Sequence, residues 1–372
     1  MIVYLSVFSL SMFLIYIAQK QKDIIIFFAC SSIAILLPCV IAALRSSSVG
    51  TDVMVYASPL YELASHADSF LHYFYSGGYS QWRYIRPADF EIAYVVLVWI
   101  SAKVFNSFQV LLFLTELLVI VPIYISAVLF RKHNSVVMFM MVYYFLYYNT
   151  SLNLMRQSIA CALVILAFAV YYNNHQRYVI SFIIVVFACL FHTSALFAVV
   201  IFAVYFVFMK SADKRLTLCL LFIAGFILLY FIQIVIEILK ILGLGEYATS
   251  YFGDAGITLQ FNQIIVRLPI LFGTIFLIRR KVNYPNAFFL SAMIIFSILC
   301  SQLVSIGSTN ARIGLYFEMF SMFIPACIST SSSHKRRSVI FANCLCVLYC
   351  FSYWVLFSVV LNYNATLPYL FS

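Results

Sequence analysis

Six side chains able to do chemistry stand where apolar runs of this chain give way to polar residues: Arg45, Asp52, Glu91, Arg156, His192 and Arg312. A guanidinium presents a planar fork of N–H donors that matches a phosphate or carboxylate bidentately. A carboxylate, or an imidazole titrating near neutrality, can take a proton from a hydroxyl. The set suits transfer of a group from a phosphate or diphosphate to a hydroxyl. Each residue also has a plainer explanation. Arg45 reads as an arginine snorkelling at a helix end, Asp52 as a turn aspartate, and His192 as a hydrogen-bonded interface residue. Arg156 reads as a helix-end arginine paired with an internal acid.

The local spacings sharpen this. Arg45-Ser-Ser-Ser-Val-Gly-Thr-Asp52 ends an apolar run, and Gly50 allows a tight turn that aims Asp52 back toward the membrane. Asn153, Arg156 and Gln157 fall at i, i+3 and i+4, one face of a helix, and Ala160 extends that face. Glu91 has Tyr94 three residues on. His192 precedes Thr193-Ser194-Ala195. Arg312 lies between Asn310 and Gly314, with Glu318 off its face. Glu116, Glu237 and Arg267 fall in or near other apolar runs, as structural pairs or as the lining of a central cavity.

The elements that position these residues are membrane helices. The 372 residues are 65% hydrophobic and 9% charged, with mean hydropathy +1.05. So little polar surface cannot cover a water-soluble domain of this size. The apolar runs are continuous, which argues against a β-barrel. The expected fold is all-α: one polytopic transmembrane domain over 1–372 with roughly 11–13 spans. The spans are expected at 2–18, 24–44, 110–130, 136–148, 159–172, 179–191, 195–208, 218–239, 264–278, 287–305, 313–328 and 339–361. The run 92–105 is too short for a comfortable span and reads as a re-entrant or interfacial segment.

Basic residues orient the chain. Lys20, Lys22, Arg131, Lys132, Arg177, Lys210, Lys214, Arg215, Arg279 to Lys281 and Lys335 to Arg337 gather on one side, with Asp23 and Asp213 as the acids there. By the positive-inside rule that side is cytoplasmic, and both termini lie outside. The six chemical residues then share the outer side. So do a large loop, 45–91, and a smaller one, 241–262. The large loop carries Glu62, His66, His72, Tyr75, Tyr79, Trp82 and Tyr84. Aromatic rings beside polar groups stack on sugar faces, and they equally anchor loops at headgroup level.

Several classes are excluded. The net charge of +10 forms no basic domain, so nucleic acid is not a partner. The ten cysteines lie almost entirely in apolar runs without metal-ligand spacing, so neither a metal nor another cofactor is expected. No phosphate-binding glycine loop occurs. The first run lacks a basic leader and cleavage site, and reads as a retained helix.

The motifs also resemble a known family. Arg45 with Val49-Gly50-Thr51-Asp52 and Tyr56, Glu91 with Tyr94, Asn153-x-Met155-Arg156-Gln157-x-Ile159-Ala160, Phe191-His192-x-Ser194-Ala195, and Arg312 before Tyr316 resemble the EpsG/Wzy family of bacterial O-antigen and exopolysaccharide polymerases. The resemblance covers about residues 40 to 320. Val53 departs from it, since an aromatic often follows the aspartate in the family. The resemblance implies a GT-C-like, metal-independent glycosyltransferase of the bacterial inner membrane. Its substrates would be undecaprenyl-diphosphate-linked repeat units, as donor and acceptor, met on the periplasmic face. Arg156 and Arg312, assisted by Arg45, would hold the diphosphate, with Asn153 and Gln157 as supporting polar groups. Asp52, Glu91 or His192 would be the base. A chain-length regulator and a flippase are candidate partners beside the membrane lipid. The alternatives are an O-antigen ligase, and a flippase or transporter of lipid-linked oligosaccharide.

Overall fold

The structure is a computed structural model, described for residues 1–80, 83–241, 257–282, 286–330 and 336–371. It is an all-α polytopic membrane fold, as composition and hydropathy dictate. Nine of the described helices are long and apolar enough to cross a membrane. Other expected spans fall on helices that are short or change pitch. Residues 136–153 run as α-helix, π-turn and α-helix, 314–330 as α-helix, 3-10 turn and α-helix, and Tyr178–Cys189 is a shorter apolar helix. The segment after Glu91 is the 12-residue helix Ile92–Lys103, about 18 Å long and well short of a bilayer core.

The contacts divide the chain into two compact units, Met1–Ala195 with Cys344–Ser372, and Leu196–Asn343. In the first, α1 (Ile2–Lys20) packs on α2 (Ile24–Ala43). After α2 come a π-turn (Val53–Ala57), α3 (Ser58–His66), α4 (Phe70–Tyr75) and a two-stranded antiparallel hairpin, β1 (Gly78–Tyr79) with β2 (Tyr84–Ile85). Then follow α5 (Ile92–Lys103), α6 (Phe108–Leu129), α7 (Val136–Val142), α8 (Tyr148–Asn153), α9 (Met155–Asn173) and α10 (Tyr178–Cys189). Helix α6 lies against both α2 and α9, and α9 against α10.

Local chemistry explains the helix ends and the kinks. Asp23, Ser107 and Ser135 accept backbone N–H bonds at the starts of α2, α6 and α7, the ordinary work of an N-cap. Pro38 inside α2 has no N–H, which releases the Ala34 carbonyl from its helical partner. Ser11 of α1 donates to that carbonyl at 2.7 Å, and its hydroxyl also meets Tyr144 Oη at 2.7 Å. Phe8, Tyr144, Tyr148 and Trp354 pack ring against ring around it.

The chain's last segment returns to this unit. Tyr369 Oη donates to the Ile41 carbonyl, Tyr4 Oη to the Thr366 carbonyl, and Asn149 Nδ2 to Thr366 Oγ1. Asn362 accepts from the Thr366 and Leu367 N–H groups and shapes the turn.

In the second unit α11 (Ala198–Lys210), α12 (Lys214–Ile241), α13 (Phe261–Arg279) and α14 (Ala287–Ser301) precede α15 (Gly314–Glu318) and α16 (Phe323–Thr330). Helix α14 is central, touching α11, α12, α13 and α15. Glu246 and Asp254 of the smaller loop and the aromatic Trp82 lie outside the described residues, as does the side chain of Glu237.

Candidate active site

The site is built from three places in the first unit. Gly50 has φ +90°, and a Cβ there would stand 2.6 Å from the Leu152 carbonyl oxygen. Only glycine adopts this backbone cheaply and allows that approach. The turn is held from outside as well: Gly50 N–H donates to the Ala365 carbonyl, Ser46 N–H to the Leu370 carbonyl, and Arg45 pairs its backbone with Phe371. Thr51 and Asp52 are thereby delivered to α8. Asn153 Oδ1 accepts from Thr51 Oγ1 at 2.6 Å and from the Asp52 N–H at 3.4 Å. Tyr56 Oη donates to Asp52 Oδ2 at 2.7 Å. Burial, with Asp52 next, pushes the Tyr56 phenol well above its ordinary range, so it remains the donor.

The second place is the start of α9. Asn153, Arg156 and Gln157 do not share one helix face. Leu154 (φ −92°, ψ 62°) breaks the helix, leaving Asn153 to close α8 against Thr51 while Arg156 and Gln157 open α9. The reason is that Asn153 has partners across the chain that a continuous helix would turn it from. Arg156 Nη1 forms an ion pair with Glu91 Oε2, both side chains being mostly buried at 19% and 15% exposed. Its guanidinium lies 4.8 Å from the Tyr56 ring centroid and 4.7 Å from that of Phe90, close enough for cation–π attraction. Its Nε is buried and makes no hydrogen bond.

The third place is the turn after α10. Ala93 N–H donates to the Leu190 carbonyl, and Thr193 N–H to Glu91 Oε1 at 3.3 Å. Glu91 therefore ties Arg156 to the loop that carries His192. His192 Nδ1 lies 2.6 Å from Ser194 Oγ.

Asp52, Glu91, Asn153, Arg156 and His192 thus come together through these contacts, and Gln157 is buried in the same turn as Arg156. Arg45 is elsewhere in the unit. It is 2% exposed, its Nε and Nη1 make no hydrogen bond, and it interacts electrostatically with Glu116, Tyr148, Tyr4 and Tyr94. It is enclosed, so neither snorkelling nor contact with solvent describes it. Glu116 accepts from Tyr143 Oη and Ser151 Oγ. Arg312 belongs to the second unit, exposed in the turn before α15. In that unit Arg267 of α13 pairs with Glu318 at 2.7 Å and also donates to Ser297 and Gln263. Arg267 is therefore one half of a structural pair.

Sequence reading left Tyr56, Phe90 and the closing segment 362–371 without roles. Tyr56 had a signal, since it lies four residues after Asp52 in a helical stretch. Ala365 had none, because Gly50, whose N–H meets its carbonyl, is distant in the chain.

A helical membrane protein whose polar groups converge on an arginine–carboxylate cluster is defined as a class by this fold and site. A family model matches residues 28–371, and the chain belongs to the EpsG family. Membership supports a polysaccharide-polymerase role in general terms, of the glycosyltransferase kind. Comparison with curated proteins and with solved structures finds no match.

Proposed function

We propose that this protein is an O-antigen or exopolysaccharide polymerase of the bacterial inner membrane, acting on its periplasmic face. It transfers a growing glycan from undecaprenyl diphosphate to the non-reducing end of a new lipid-linked repeat unit. The observation that carries this reading is the placement of Arg156 beside the Asp52–Tyr56 pair, with Glu91 as its anchor.

In the step, an acceptor hydroxyl oxygen attacks the anomeric carbon of the donor glycan. The carbon–oxygen bond to the diphosphate breaks, and the lipid diphosphate leaves with the electron pair. Arg156 meets the charge that develops on it, and a cation fixed in advance is worth more there than a mobile one. The hydroxyl proton passes to Asp52. We assign the base to Asp52, whose carboxylate is fixed by Tyr56 Oη while the Tyr56 ring contacts the Arg156 guanidinium, and leave Glu91 as the anion that anchors Arg156. Arg45, being enclosed, supports the frame.

A cleft of about 340 Å³ on the same polar segment is lined by Glu62, His66, His72, Ser76 and Tyr79. Its size lies in the range of small-molecule sites. We place the acceptor sugar there, with its hydroxyls on the polar groups and a ring face on Tyr79.

The test is the glycan ladder of a strain lacking the protein, complemented with wild type or with Arg156→Ala. Core plus a single repeat unit, with the ladder restored by wild type alone, is the expected result. Bare core would point to ligation or flipping, periplasmic accumulation of units marking the former and cytoplasmic accumulation the latter. An unchanged ladder of lipopolysaccharide and of exopolysaccharide would overturn the reading.

A further inference from the structure

Several described cationic residues of the second unit fall into two kinds. Arg267 is matched to Glu318, and Arg280 lies over the Phe276 ring and donates to Ser338. Lys214, Arg215, Arg279 and Lys281 make no side-chain hydrogen bond or ion pair among the described residues. All four line one cavity of about 700 Å³, between the start of α12 and the end of α13. The carboxylate there, Asp213, accepts from the Arg215 and Leu216 N–H groups as the cap of α12 and is held by them. Ile278 and Phe288 supply an apolar wall.

Orientation of the chain in the membrane explains basic residues at this end, but it does not require four of them around one concavity. Four ammonium and guanidinium groups held near one another repel, and one capped carboxylate offsets only part of that charge. The missing complement is an anion from outside the chain. The apolar wall, at the ends of two membrane helices, is suited to the glycerol and upper acyl carbons of a lipid rather than to a free ion.

We propose that this cavity binds the phosphate headgroup of an anionic phospholipid, with cardiolipin, which carries two phosphates, as its best occupant. This proposal does not depend on the polymerase reading. Basic pockets between membrane helices are suited to such headgroups. Each cation contributes roughly a factor of five in affinity.

Native mass spectrometry of the purified full-length protein in detergent tests this, with cardiolipin, phosphatidylglycerol, phosphatidylethanolamine or inorganic phosphate added. Cardiolipin should stay bound best, phosphatidylglycerol next, and phosphatidylethanolamine least. The double variant Lys214→Gln/Arg279→Gln should weaken cardiolipin binding roughly 30-fold. The charge-preserving Lys214→Arg/Lys281→Arg should keep it, which controls for folding. Lys20→Gln/Lys22→Gln, in the first unit, should leave it unchanged. Equal retention by the neutral double variant and wild type would overturn the proposal. So would equal binding of phosphatidylethanolamine, or displacement of cardiolipin by equimolar inorganic phosphate.

Discussion

Tyr56 does two things with one side chain. Its hydroxyl holds Asp52, and its ring faces the Arg156 guanidinium. Tyr56→Phe keeps the ring and removes the donor, so transfer should fall by about 10- to 100-fold, the cost of one hydrogen bond to a charged group. Measured turnover with lipid-linked repeat units checks this, and an unchanged rate would remove Asp52–Tyr56 from the mechanism. The raised Tyr56 pKa also has a sign. Both folded and unfolded forms keep the proton below about pH 10, so Tyr56 adds no pH dependence there; above it, stability falls as the unfolded chain ionises first. Unfolding midpoints of wild type and Tyr56→Phe should therefore separate in their pH response only above about pH 10. Gly50→Ala should destabilise by at least about 1–2 kcal/mol, since it adds left-handed strain. The added Cβ also meets the Leu152 carbonyl at 2.6 Å. Thermal unfolding in detergent reads it. Gly50 and Asp52 were legible as residues, because a glycine before a carboxylate implies a turn. Their attachment to Asn153 was not, since a hydrogen bond across a hundred residues leaves no local pattern.

Among the elements, the break at Leu154 and the returning segment 362–371 matter most to the site. The i, i+3, i+4 spacing of Asn153, Arg156 and Gln157 implies one shared helix face. The break wins because Asn153 binds Thr51 and Asp52 while Arg156 binds Glu91. The returning segment holds the Arg45–Gly50 turn by main-chain bonds, and Asn149 anchors it through Thr366 and the Trp354 indole. Asn149→Ala leaves those buried partners unmatched and should cost about 1–3 kcal/mol. Polymer yield should fall with it although Asn149 touches none of the reacting groups. Retention of both stability and full-length polymer would show that the segment does not position the turn. The segment after residue 361 carried no hint of this role, because the first-unit partners it meets lie 200 and more positions upstream.

At the scale of the whole molecule, two titratable side chains, Arg45 and Glu116, are enclosed in the interior of the first unit. They interact electrostatically. No hydrogen bond or ion pair joins them, so their coupling acts at longer range through the interior and should be roughly 1 kcal/mol. A double-mutant cycle with Arg45→Met and Glu116→Gln measures the coupling, and a coupling energy below about 0.5 kcal/mol would mean that the two are independent.

The sequence by itself determined that this chain is helical and lies in a membrane, because hydropathy and the need to satisfy backbone groups in lipid act residue by residue. It also singled out the polar side chains that such a protein keeps only at a cost. Which of them meet was decided by tertiary structure alone. Glu91 joins Arg156, Glu318 joins Arg267, and Arg45 is enclosed apart from both pairs. Spacing along the chain constrains partners within a few helical turns, whereas a buried charge finds its partner wherever packing brings one within reach.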